Sequence, residues 1–237
     1  AWSPDATTVA AATEAGLVLV PAAGGARRLV SWATPLDDGP VALAWSPDAA
    51  AVARADRAGA VALDLAAGTW STILAGPSRA VAYAPDGRHV AVIQDDGAHV
   101  LTAAGAPVAV VPGASVAWSP DGRRLAVVGV DGVRVATATG EPVATLAGTS
   151  VAWSPDGRRL AYTAAGRLLI AAPDGAGARA LTRPDERVLR IDAWLADARP
   201  LPPDRVAPRA VPDLGHGPLV HGWFRDTTWS TPPASAR

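Results

Sequence analysis

Short apolar runs recur along the chain, each ended by Gly, Pro or Asp. The unit that starts at Ser115 shows the pattern. "SVAWS" is apolar and short, and "PDG" breaks the chain. "RRLAVVGV" is a second apolar run, and Asp131-Gly132 breaks it again. "VRVATA" alternates in part, "TGEP" turns, and "VATLAG" is a fourth run. Four such runs with turn residues between them predict a four-stranded antiparallel meander. A breaker about every eight to ten residues leaves no room for a helix of ten or more, so the alanine richness does not argue for helix.

The unit repeats. Its phase is marked by an aromatic in "AWSPDA" (Ala1–Ala6 and Ala44–Ala49), "AYAPDG" (Ala82–Gly87) and "AWSPDG" (Ala117–Gly122 and Ala152–Gly157). A decayed sixth copy is "AWLADA" (Ala193–Ala198). The aromatics Trp2, Trp45, Tyr83, Trp118, Trp153 and Trp194 lie 43, 38, 35, 35 and 41 residues apart. "SVAWSPDGRRLA" occurs twice without a change, at Ser115–Ala126 and Ser150–Ala161. A small sheet repeated about six times predicts a β-propeller. "RLAVVGV" is apolar at successive positions, which implies burial on both faces, as in a blade held between two neighbours. A two-sheet sandwich would alternate more cleanly, and it and a β-solenoid are the weaker alternatives. The expected fold is therefore an all-β propeller of four-stranded antiparallel blades, six in number, with five clear repeats and an irregular sixth. Residues 1–198 carry the repeats. Residues 199–237 are Pro-rich, with one expected strand at 218–224, and are expected to complete or close the last blade.

The motif residues have structural work to do. The aromatic is the large member of a set of small residues, so it is expected to wedge between adjacent blades and bury ~200 Å². Pro120 and Pro155 end the inner strand, where no ladder N–H is needed. Asp121 and Asp156 are expected to accept from backbone N–H groups ahead of them, and Gly122 and Gly157 to supply a positive φ. Ala6 and Ala49 stand in the glycine position, so those two turns are expected to differ in type. Arg88, Arg123 and Arg158 are expected to cover blade edges with their stems and keep their charge in water. Asp86 and these arginines then form a candidate interaction rim.

These residues resemble the PD40 repeat of the TolB-like propellers, whose hallmark is a W-S-P-D-G turn after the inner strand. The likeness covers roughly residues 1–198, with two copies at full strength and three modified. The Gly-His start and Trp-Asp end of WD40 repeats are absent at the right phase. The resemblance implies a propeller, six-bladed in TolB, that sits outside the cytoplasm in the cell envelope and binds other proteins. The same repeat also occurs in propellers that gate prolyl-oligopeptidase-type enzymes, so function does not follow from it.

Composition removes several chemistries. The net charge is −1, which argues against a nucleic-acid surface. All 21 basic residues counted as Lys and Arg are arginine, and Cys, Met and Asn are absent. That excludes disulfides, thiolate metal sites, Schiff-base lysines and N-glycosylation sequons within the chain. No run of 18 apolar residues occurs, so no membrane span is expected. The chain begins inside a motif copy and holds no Met, which reads as a mature or truncated product.

No catalytic constellation emerges. "GPSRA" (Gly76–Ala80), "GASVA" and "GTSVA" each miss the last glycine of a G-x-S-x-G elbow. The "DDG" stretches at Asp37–Gly39 and Asp95–Gly97 read as hairpin tips, since no D-x-D-x-D-G loop follows. His216 and His221 are five apart, a spacing that puts them on neither a helical nor a strand face. His89 and His99 stand alone. No cofactor or metal is expected. The function expected is a non-catalytic, monomeric scaffold that binds a protein or another envelope component. The alternative is a propeller enzyme, or a regulatory or sensor domain, with a small ligand in its central channel.

Overall fold

The computed structural model describes residues 1–36 and 39–191. Those residues form nineteen strands and no helix. Blade one holds β1 (Thr8–Thr13), β2 (Gly16–Pro21) and β3 (Arg28–Val30). Blade two holds β4 (Ala42–Trp45), β5 (Ala51–Asp56), β6 (Gly59–Asp64) and β7 (Thr69–Ala75). Blade three holds β8 (Ala80–Tyr83), β9 (His89–Gln94), β10 (Gly97–Thr102) and β11 (Pro107–Val111). Blade four holds β12 (Ser115–Trp118), β13 (Arg124–Gly129), β14 (Gly132–Thr137) and β15 (Pro142–Leu146). Blade five holds β16 (Ser150–Trp153), β17 (Leu160–Ala164), β18 (Arg167–Ala171) and β19 (Arg179–Ala180).

Each sheet is a meander of antiparallel neighbours in chain order. The inner strands β4, β8, β12 and β16 lie against one another in succession, which arranges the blades about a common axis. The fold is a β-propeller. In blade one the three described strands are joined on the inner side by a single isolated bridge. Trp2 bridges Val9, and Ala10 N–H donates to Ala1 O at 2.8 Å.

The core lies between blades. β9 buries Val90, Ala91, Val92 and Ile93 in a row, so both faces of the strand are covered, as the unbroken apolar run implies. Side chains of β9 and β10 that face blade four, among them Ile93 and Val100, pack on Trp118, Leu125 and Val127. The same layer recurs between blades four and five around Trp153 and Leu160. After β19 the chain crosses the edge of blade five. Val188 N–H donates to Gly166 O, and Ile191 N–H to Ser150 Oγ at 3.1 Å. Trp194, the 199–237 segment, the expected strand at 218–224, His216, His221, Asp37 and Asp38 lie outside the described residues.

One expectation is overturned. The "SPDA" turns do not differ in type from the "PDG" turns. Ala6 and Ala49 adopt φ of 56° and 57°, beside 70° at Gly87 and Gly122. All five turns close with the same N–H to C=O bond across four residues, from Ala49 N to Ser46 O as from Gly122 N to Ser119 O. The turn is over-determined by the strand pair and by the motif side chains, so alanine is held in a left-handed conformation that costs it about 1–2 kcal/mol.

Candidate functional site

The motif turn is built around its serine. Ser119 is buried, and its hydroxyl donates to Asp121 Oδ1 at 2.6 Å while accepting from Arg124 N–H at 2.9 Å. Asp121 Oδ1 also accepts from Arg123 N–H. Ser154, Asp156, Arg158 and Arg159 reproduce this set, and Ser46 with Asp48 does so in blade two. Sequence reading gave the serine no role beyond being small; its presence in four of five clear copies was the available signal. In blade three Ala84 stands in its place, and Asp86 keeps only the Arg88 N–H.

These bonds hold the carboxylates ionised. The Ser154 hydroxyl and the Arg158 N–H depress the Asp156 carboxyl, and the Ser46 hydroxyl and Ala50 N–H do the same for Asp48. Burial raises Asp121, but the Ser119 hydroxyl, the Arg123 N–H and the charges of Arg123 and Arg124 outweigh it, and it too lies below the usual range.

The aromatics tie blade to blade. Trp118 Nε1 donates to Ala82 O at 3.1 Å and Trp153 Nε1 to Ala117 O at 3.0 Å, each reaching the inner strand of the blade before it. Trp45 makes the same bond to Ala1 O. Trp118 and Trp153 are buried, whereas Trp2 is 40% exposed. Tyr83 has no such N–H. Burial, and then the Asp48 charge of blade two, push its hydroxyl up to about 12.

Pro120 and Pro155 sit at the rim with these turns. Asp86, Arg88, Arg123 and Arg158 are exposed there. Successive turns touch: a Cβ on Gly122 would stand 2.5 Å from Asp86 Cγ, and one on Gly157 would stand 3.5 Å from Pro120 Cδ. The rim is thus a continuous arc.

A second cluster escaped the sequence reading. Arg54 in β5 is fully buried and occupies the register position that Val92, Val127 and Tyr162 hold in the next three blades. Its Nε lies 2.9 Å from Asp56 Oδ2, a charge contact and not an aligned hydrogen bond. Its Nη1 donates to Thr34 O and its Nη2 to Thr34 Oγ1. The guanidinium lies 4.8 Å from the Trp32 ring centre and 6.0 Å from that of Trp70. Trp32 Nε1 donates to Thr13 O and Trp70 Nε1 to Ser31 O. The cluster pins the connector after β3 onto blade two. Its signal was a charge inside "AVARAD", where the aligned runs are "HVAVIQ" and "RLAVVG".

Asp95 and Asp96 form the β9–β10 tip, where Asp95 pairs with Arg79 and Asp96 with His99. His89 stacks 6.2 Å from Trp118. The described inner strands β4, β8, β12 and β16 are built from Ala, Val, Leu and Ser with the motif aromatic at the end of each. Two shallow clefts of about 270 Å³ gather one histidine, His99, in the first and Asp5 with Arg28 in the second. Among the described residues no three of His, Asp and Glu come together as a cation cage, and no helix is long and apolar enough to cross a membrane.

No family model and no curated protein sequence matches the chain. Among solved structures, the β-propeller domain of Cps50 (Swd1) from Myceliophteria thermophila is similar, with a TM-score of 0.56 at 16% identity over 73% of this chain. The chain spans 63% of the length of that structure. At this identity the likeness carries the fold, a β-propeller, and no more.

Proposed function

We propose that the protein is a non-catalytic TolB-like propeller that binds another protein through the rim of motif turns. One observation carries this reading. The polar chemistry that repeats from blade to blade is displayed on that rim, while the inner strands bring small apolar residues and Ser to the axis. A catalytic or ligand-binding channel needs converging titratable side chains, and among the described inner strands β4, β8, β12 and β16 the one titratable group is Tyr83. The envelope setting and the TolB-like assignment rest on the resemblance of the "WSPDG" turns.

A photo-crosslinking residue in place of Arg123, on the rim, and another in place of Arg57, on the opposite side of its blade, test the reading in native extracts. Crosslinking of one discrete protein from the rim position alone is expected. Equal labelling from both positions, or none from the rim, overturns it.

A further inference from the structure

The rim is not uniform around the arc. Blades three, four and five carry Arg88, then Arg123 and Arg124, then Arg158 and Arg159. The turns of blades one and two read "SPDATT" and "SPDAAA" and carry no arginine. All five arginines are exposed, and none has an ion-pair or hydrogen-bond partner for its guanidinium among the described residues. Elsewhere on the surface Arg79 and Arg134 are paired with Asp95 and Asp131.

The nearby carboxylates offset part of this charge but form no ion pair with any of the five arginines. Asp121 and Asp156 are exposed but engaged by a serine hydroxyl and a backbone N–H, and Asp86 by the Arg88 N–H. Glu141 and Asp174 stand on the turns that open the outer strands of blades four and five, without an ion pair to any of the five. Contact between successive turns makes the three steps contiguous. The result is a row of guanidinium forks, each able to take a carboxylate in bidentate fashion.

We propose that this arc, Arg88, Arg123, Arg124, Arg158 and Arg159, docks an acidic protein segment. The proposal rests on the rim reading above and names its partner's chemistry. Spaced carboxylate side chains fit better than a nucleic-acid backbone for two reasons. Asp86, Asp121 and Asp156 interrupt the cationic row and would oppose an unbroken line of phosphates. The aromatics at this rim, Trp118 and Trp153, are buried and offer no face for base stacking.

The test is fluorescence anisotropy with a labelled peptide of alternating Glu and Gly-Ser, its Gln counterpart, and a single-stranded DNA of equal charge. The wild-type protein is expected to bind the Glu peptide, weakening as salt rises from about 50 to 500 mM. The variant R88Q/R123Q/R158Q is expected to bind it about tenfold more weakly, three exposed pairs being lost. The opposite-side variant R57Q/R79Q/R134Q is expected to stay within about twofold of wild type, with unchanged urea midpoints certifying both folds. Equal binding by the rim variant, equal binding of the Gln peptide, or tighter binding of the DNA overturns the proposal. The two readings fail separately. A rim crosslink that survives R88Q/R123Q/R158Q leaves the scaffold standing and removes the acidic segment. Salt-sensitive peptide binding without any crosslinked protein does the reverse.

Discussion

Blades three to five and blades one to two solve the same packing problem differently. Where blade four meets blade three, the layer is Trp118, Leu125 and Val127 against Ile93 and Val100, all buried and apolar. In blade two, the strand position equivalent to Val127 holds Arg54, closed in by Asp56, Thr34, Trp32 and Trp70. Blades three to five share glycine turns, with 35-residue units in blades three and four, whereas blades one and two have alanine turns and units of 43 and 38 residues. The added residues between β3 and β4 form a connector that an apolar layer alone has no means to fix. A buried cation with directional partners holds it in one place, at a cost in desolvation that apolar packing avoids.

The comparison is broken most forcefully at the tryptophans. Trp118→Ala is expected to cost about 3–5 kcal/mol, since it empties a buried interblade site and frees the Ala82 carbonyl. Trp2→Ala is expected to cost less, about 1–2 kcal/mol, because Trp2 is 40% exposed. Urea midpoints of the two variants measure the gap, and similar losses would mean that the blades do not differ in this layer. Next in size is Asp56→Ala, which leaves a buried guanidinium without its counter-charge and is expected to cost about 3 kcal/mol. Arg54→Leu combined with Asp56→Ala should recover part of that loss, whereas additive losses would show that the ion pair stabilises blade two outright.

Ser119→Ala comes third, at about 1–3 kcal/mol, because the part-buried Arg124 N–H loses its acceptor and Asp121 a donor. The same turns set a pH dependence. Asp48, Asp121 and Asp156 have folded pKa values below those of an unfolded chain. Their stabilising effect is therefore complete above the unfolded value near 4 and is lost as pH falls below it. The gap in urea midpoint between wild type and S119A should narrow as pH falls below about 4, since a protonated carboxyl rewards the serine less. A gap that stays constant with pH would detach the hydroxyl from the carboxylate.

The propeller was legible in the sequence because each blade repeats a short apolar grammar with fixed punctuation. β12 to β15 fall on the four runs read from "SVAWS" to "VATLAG". The serine pivot was harder to read, because a hydrogen-bonded buried serine and a small spacer look alike in a string of letters. The Arg54 cluster was harder still. Thr34 is 20 residues from Arg54 in the chain, and only the fold of the connector brings it back. The rim arginines were visible, but their freedom from partners was not. It depends on carboxylates two residues away being engaged by serine hydroxyls and backbone N–H groups of their own turns.

Ala49 gives the sharpest and smallest test of the two regions. Its φ of 57° lies where an L side chain is strained, yet its turn has the hydrogen bonds of the glycine turns. Ala49→Gly removes that strain and adds unfolded-state entropy, so the net gain expected is about 0.5–1 kcal/mol, or about 2 °C in Tm. Gly122→Ala is not its mirror image. There the new Cβ would meet Asp86 Cγ at 2.5 Å, so turn strain is joined by a collision with the neighbouring blade. A loss of about 2 kcal/mol is expected. Calorimetry of the two single variants and of Ala6→Gly with Ala49→Gly decides the matter. If A49G lowers Tm, the alanine turns are not strained copies of the glycine turns, and their φ values owe more to the longer units around them than to the motif itself.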